Sequence, residues 1–161
     1  MSPEINAMFS TAREYGRLIE SAERADDDWF SALLQLLPRL HAAMTAAAPL
    51  VEGRGDDPVQ ADLDARFDLF SRLRRMLGDR DPYWLEYDAA QDGQHMSGSL
   101  ADDLTDIYCE LKFGLNRLET DADPRDTLGG WHHGYRVHWG QHLIDAERHL
   151  YSLSAREVIG G

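Results

Sequence analysis

The sequence predicts an all-α protein, a bundle of about five main helices forming one domain over residues 1–161. Three observations carry that expectation. Apolar residues recur at three- and four-residue spacing in five stretches, the period of a helix with one buried face. Strand-like alternation survives nowhere for more than a few residues. Capping residues, prolines and acids stand where helix starts need them. The composition permits a packed core, because 43% of the residues are hydrophobic and 28% charged, inside the globular range. A chain of this length buries roughly two-thirds of the surface its unfolded form exposes.

The first helix opens on Ser2, Pro3 and Glu4, a capping hydroxyl, a proline at the first position and an acid in the first turn. Ile5, Met8, Phe9, Ala12, Gly16 and Ile19 give it a period, and it is expected to end near Glu23. The second follows Asp26, Asp27 and Asp28 and carries Trp29, Leu33, Leu36, Leu37, Leu40 and Met44, with Pro38 expected to kink or relay it. Pro49 to Pro58, with Gly53, Gly55, Asp56 and Asp57, is the clearest loop and has no apolar anchor. Leu63, Phe67, Phe70, Leu73 and Leu77 define the core face of the third helix, closed by Gly78. Asp81 and Pro82 are expected to start a short helical turn holding Tyr83, Trp84 and Tyr87, and Asp88 to Gly98 a second loop. Ser99 opens the fourth helix, in which Leu100, Leu104, Ile107, Leu111, Leu115 and Leu118 gather on one face. A long fifth helix begins between Asp126 and Trp131 and carries Tyr135, Trp139, Leu143, Ala146, Leu150 and Leu153.

Charge excludes some functions. The formal net charge of -13 repels phosphate backbones and anionic membranes, so neither nucleic acid nor a membrane is expected as a partner. Arg66, Arg72, Arg74, Arg75 and Arg80 cluster locally, but arginine supplies all basic residues except Lys112, and the cluster is read as a solvated helix face. Cys109 is the only cysteine. It sits between Asp106 and Glu110, which disfavour a thiolate, so it is read as structural. With no signal-like start and no apolar run near the ~20 residues that span a bilayer, a cytoplasmic location is expected.

Two strings stand out: DDLTDIYCELKFGL from Asp102 to Leu115, and HWGQHLIDAERHL from His138 to Leu150. Together with Pro82, Tyr83 and Trp84 they resemble a bacterial family, domain of unknown function 5063. The resemblance covers residues 83–151. It implies an all-α fold and bacterial origin, and it brings no activity, ligand or catalytic residue. Cys109 and Glu110 depart from the family pattern, which has a basic or polar residue followed by an aspartate.

Two constellations could carry chemistry. On the fourth helix, Asp103, Asp106 and Glu110 form one stripe, the spacing by which helical bundles hold divalent metals. The helical wheel sets that stripe opposite the leucine face, so the acids are expected to point to water, aided by the dipole at the helix start. The Asp-Asp-x-x-Asp spacing occurs in terpenoid synthases, which are about twice as long. It also echoes the Glu-Glu-x-x-Glu helix of all-α nucleotide pyrophosphohydrolases, whose second acidic motif is not found. On the fifth helix, His138, His142, Asp145 and His149 fall within roughly 60° of one another. Imidazoles four apart suit a zinc or iron site. A half-buried polar seam, hydrogen-bonded to acids of a neighbouring helix, is the simpler expectation.

No nucleophile elbow, phosphate loop or dinucleotide fingerprint is present. The leading expectation is therefore a non-enzymatic helical module that binds a protein partner or itself, without cofactor or catalytic residue. The alternative is a metal-dependent enzyme, a hydrolase or an oxygen user, with Asp103, Asp106, Glu110, His138 and His142 supplying a divalent metal's ligands. The choice rests on whether the acids and histidines face each other.

Overall fold

The computed structural model describes residues 1–55, 59, 62–85, 96–156 and 159. The described chain is all-α except for one short hairpin, in the order α1 (Pro3–Glu20), α2 (Asp27–Ala47), α3 (Leu63–Leu77), β1 (Pro82–Leu85), β2 (Met96–Ser99), α4 (Leu100–Leu118), α5 (Pro124–Gly134), a π turn (Tyr135–Trp139) and α6 (Gly140–Ala155). Among the described residues no helix is long and apolar enough to cross a membrane.

The expected helix starts hold in detail. Ser2 Oγ accepts from the Ile5 amide, Asp26 Oδ1 from Trp29, and Ser99 Oγ from Asp102, each satisfying a donor that the first helical turn leaves free. Helix α2 runs through Pro38 without being relayed. The predicted fifth helix is three segments in one line, and the π turn between α5 and α6 is its interruption.

Helix α4 lies at the centre, packed by α1, α3, α5 and α6. Leu104, Ile107 and Leu111 are buried on one side, and Tyr15 of α1 donates its hydroxyl to the Leu104 carbonyl at 2.6 Å. Gly114 lets Trp131 of α5 lie across the helix, since a Cβ there would stand 2.2 Å from the indole nitrogen. That indole donates to the Glu110 carbonyl at 3.1 Å.

Several expectations are corrected. Leu63 and Phe67 are 72% and 65% exposed, so only the C-terminal half of α3, through Leu73 and Leu77, enters the core. Of the arginines, Arg74 and Arg75 are exposed as expected, but Arg66, Arg72 and Arg80 are half-buried and engaged. Arg72 donates to the Ala22 and Ile19 carbonyls, closing the C-terminus of α1, and Arg80 donates to the Ala25 carbonyl, a role suited to cations beside helix ends. The loop after α2 is anchored through buried Val51. At its end a Cβ on Gly55 would meet the Asp126 carbonyl at 2.3 Å, and one on Gly129 would meet the Arg54 carbonyl at 2.0 Å. The glycines thus let two backbones touch. Asp56 to Pro58 of this loop lie outside the described residues.

The helical turn expected at Asp81 is a strand instead. Pro82–Leu85 pairs antiparallel with Met96–Ser99, Pro82 opposite Ser99 and Leu85 opposite Met96. Asp81 caps α4 rather than its own successors: its Oδ1 accepts from the Ala101 amide at 2.7 Å and from Ser99 Oγ at 2.9 Å. Strands of four residues offer too little alternation to be read from pattern. The second loop's Met96–Gly98 portion is therefore strand. Tyr87, His95 and the rest of that loop lie outside the described residues, as do Gly160 and Gly161.

Candidate metal centre

The acids of α4 face inward. Asp103, Asp106 and Glu110 are 3%, 7% and 8% exposed, and the expectation that they meet water is overturned. On the wheel the stripe lies roughly 100° from the leucines rather than opposite them, so it falls beneath the helices packed beside α4, while Asp102 and Asn116 take the wet side. Opposite the acids runs the π turn and the start of α6. Contacts pair Asp103 with His142 and Glu110 with His138, so the two helices run antiparallel.

The π turn inserts a wider loop of backbone, and such turns recur at functional sites. Glycines flank it for steric reasons. A Cβ on Gly140 would lie 2.3 Å from the Tyr135 carbonyl, and one on Gly134 would lie 2.8 Å from Glu110 Oε2. His41 of α2 holds the turn from outside, with Nε2 2.8 Å from the Tyr135 hydroxyl and Nδ1 3.1 Å from Glu147.

The geometry is ordered around one oxygen. His142 Nε2 lies 3.0 Å and His138 Nε2 3.8 Å from Asp106 Oδ2. The other ring nitrogens each meet a separate carboxylate: His142 Nδ1 stands 2.7 Å from Asp103 Oδ1, and His138 Nδ1 3.2 Å from Glu110 Oε1. The two rings meet edge to face with centroids 5.0 Å apart. Each imidazole is therefore oriented through Nδ1 by an acid while Nε2 points at a shared third acid. This is the carboxylate–histidine arrangement that orients metal ligands from behind.

Outer partners fix the carboxylates. The Tyr83 hydroxyl, delivered by the hairpin, donates to Asp103 Oδ2 at 2.5 Å. Arg66 of α3 donates through Nε to Asp106 Oδ1 and through Nη2 to Asp102 Oδ1, both at 2.8 Å. Asp106 thus spends one oxygen on Arg66 and presents the other to both histidines. Sequence reasoning singled out Asp103, Asp106, Glu110, His138 and His142, left open whether the acids and histidines meet, and missed Arg66 and Tyr83. Arg66 was hidden in a cluster read as solvated, whereas Tyr83 stood inside a singled-out motif without a partner. His149, expected in the same row, turns away, with Nε2 2.6 Å from the Arg80 carbonyl and its ring stacked near Tyr83.

Burial and charge shift these groups in opposite directions. Burial pushes the Asp103 carboxyl up to about 6, against the pull of His142 and Tyr83. Burial also works to raise Asp106, but hydrogen bonds from His142 and Arg66 bring it below the usual range. Burial raises Glu110 despite His138. His142 is opposed by burial but carried up to about 10 by Asp103 and Asp106. Without a metal it is an imidazolium donating from both nitrogens. Cys109 is raised by burial and Asp106, in keeping with its structural reading.

Could these atoms hold an ion? Ligand atoms about 2.1 Å from a tetrahedral ion stand about 3.4 Å apart, and the Nε2 to Asp106 distances of 3.0 and 3.8 Å bracket that spacing. Asp106, His138 and His142 each offer a ligand atom, and all three atoms lie within 4.8 Å of one another. Asp102, Asp103 and His142 form a second such group, but its acids are committed to Arg66 and to Tyr83 with His142. The first group leaves coordination positions open toward a cleft that His138 and Asp106 line. An ion there would act as a Lewis acid or lower the pKa of a bound water.

A family model described as "Domain of unknown function (DUF5063)" matches residues 1–156. The crystal structure of protein BF1032 from Bacteroides fragilis is similar, with a TM-score of 0.77 at 20% identity over 94% of this chain and 92% of that one. That likeness is one of fold. No curated protein matches the chain.

Proposed function

The chain belongs to the DUF5063 family, and from its buried cluster we propose that it binds one divalent transition-metal ion through Asp106, His138 and His142. The observation that carries this is the convergence of two imidazole Nε2 atoms on Asp106 Oδ2, each imidazole backed at Nδ1 by its own carboxylate. Two imidazoles and a carboxylate suit zinc, iron or manganese. Asp103 and Glu110 serve as the orienting acids rather than as ligands.

An ion-pair seam would also use both nitrogens of His142, so what favours the ion is that a second imidazole, His138, brings its Nε2 to the same oxygen of Asp106. Arg66, bound to the other oxygen of Asp106, offsets part of the negative charge and leaves Oδ2 free for the ion. Tyr83 is turned onto Asp103, where its hydroxyl supports the acid that backs His142. Residence in the cytoplasm belongs to the same proposal and is supported by the single free Cys109, which a reducing compartment keeps as a thiol.

Elemental analysis tests the site. Purified protein, stripped with a chelator and reconstituted separately with zinc, manganese and iron(II), should retain about one ion per chain after desalting for at least one of the three metals. The His138→Ala, His142→Ala double variant should retain none while keeping its helical circular dichroism. Retention unchanged in the variant, or no retention of any metal by the wild type, would contradict the proposal.

A further inference from the structure

Beside the proposed ion lies a cleft of about 520 Å³, within the size range of small-molecule sites. Asp106, Glu110 and His138 are among the residues that line it, with Arg66. Its sides include Leu63 of α3 and Val137 of the π turn, which are 72% and 68% exposed. Gly130 and Gly134 lie along it, where the missing side chains let a ligand approach the α5 backbone.

These two apolar residues have no role in the core. Leu63 sits at helical spacing with Leu73 and Leu77 yet stands outside, and Val137 occupies the outer side of the turn that delivers His138. Isolated exposed apolar residues need no explanation. Here the two line one cleft with Val59, and its polar lining comes from Asp106, Glu110, His138, His133 and Arg66. A polar, metal-facing part and an apolar body are what a small-molecule site presents.

We propose that the cleft binds a small molecule with an apolar tail, which coordinates the metal through an oxygen-bearing head group and lays its tail against Leu63 and Val137. The inference rests on the metal reading and adds to it the ligand class. Arg66, also in the lining, is already paired with Asp106 and Asp102, so a head group with a single negative charge, met by the metal's own charge, suits the cleft.

Straight-chain alkyl hydroxamates, from acetohydroxamate to octanohydroxamate, are the probe, titrated calorimetrically into the zinc-loaded full chain. Affinity should rise about three- to fourfold per added methylene along the first several carbons, the gain expected when each CH₂ leaves water. In Leu63→Gln, Val137→Gln protein, which adds no charge, the rise should flatten while zinc content is unchanged; both positions are exposed, so folding is preserved, and circular dichroism checks it. Full zinc content with affinity independent of chain length would overturn the cleft and leave the metal reading standing. An undiminished rise in the double variant would do the same. Failure to retain any of zinc, manganese and iron(II) would overturn both.

Discussion

The two long faces of α4 are equally buried and opposite in cost. On one, Leu104 and Ile107 are 0% exposed; on the other, Asp103 and Asp106 are 3% and 7% exposed. Each leucine or isoleucine taken from water contributes about 1.5 to 3 kcal/mol. Each ion taken from water costs several kcal/mol, which Coulomb attraction and hydrogen bonds recover only with good geometry. The acid face has that geometry, from Arg66, Tyr83, His138 and His142, yet an apolar face would have served stability as well. Burial by itself thus does not say what a face is for; the acid face makes sense as a site, the leucine face as a core.

The sharpest break of this comparison is His142→Ala. It leaves Asp103 and Asp106 without their shared cation, and in metal-free protein it should cost about 3 to 5 kcal/mol in urea denaturation. Replacing the network whole, as Asp103→Leu, His142→Leu and Tyr83→Phe, should come within about 1 kcal/mol of the wild type or exceed it. A triple variant as unstable as the single one would mean that the acid face is a structural necessity.

On the leucine face, Leu104→Ala should cost about 2 to 5 kcal/mol as a buried large-to-small change. A loss below about 0.5 kcal/mol would contradict the central position of α4. Smaller is Gly134→Ala. Its Cβ would press on Glu110 Oε2 from 2.8 Å, costing about 1 to 3 kcal/mol and displacing the acid that orients His138. Zinc affinity, measured by competition with a chromophoric chelator, should fall with it.

The subtlest effect is in pH. His142 rises from 6.5 to about 10 on folding, so its contribution is complete below the unfolded value and fades as pH climbs through about 10. Asp106 is held below its ordinary value by His142 and Arg66, so its contribution is present at neutral pH and fades on acidification. Between pH 7.5 and 10.5 the wild type should lose more stability than His142→Gln does. Equal losses would mean that His142 is not the buried cation. The same proton competes with the metal, so zinc should bind more tightly as pH rises over this interval.

Much of this was legible in the residues. The helices followed from period and caps because those are local, and Ser2, Asp26 and Ser99 act within three residues of their partners. The five site residues followed from spacing on two helices. What spacing could not supply was direction: Asp103, Asp106 and Glu110 lie roughly 100° round the wheel from Leu104 and Leu111, and only the packing of α5, the π turn and α6 on α4 makes that second side interior. Arg66 and Tyr83 reach the site through tertiary packing, over 40 and 20 residues of chain. The hairpin was missed because its strands are four residues long, and the π turn because one extra residue in a turn leaves the apolar period nearly intact.

X-ray absorption at the zinc edge of reconstituted protein bears most directly on the site. The account predicts a first shell of nitrogen and oxygen at about 2.0 to 2.2 Å with the outer-shell scattering of two imidazoles. That imidazole signal should be lost in the His138→Ala, His142→Ala variant. A shell of oxygens without imidazole scattering in the wild type would contradict it, because the ion would then sit on surface carboxylates and the acid face of α4 would be an ion-pair seam.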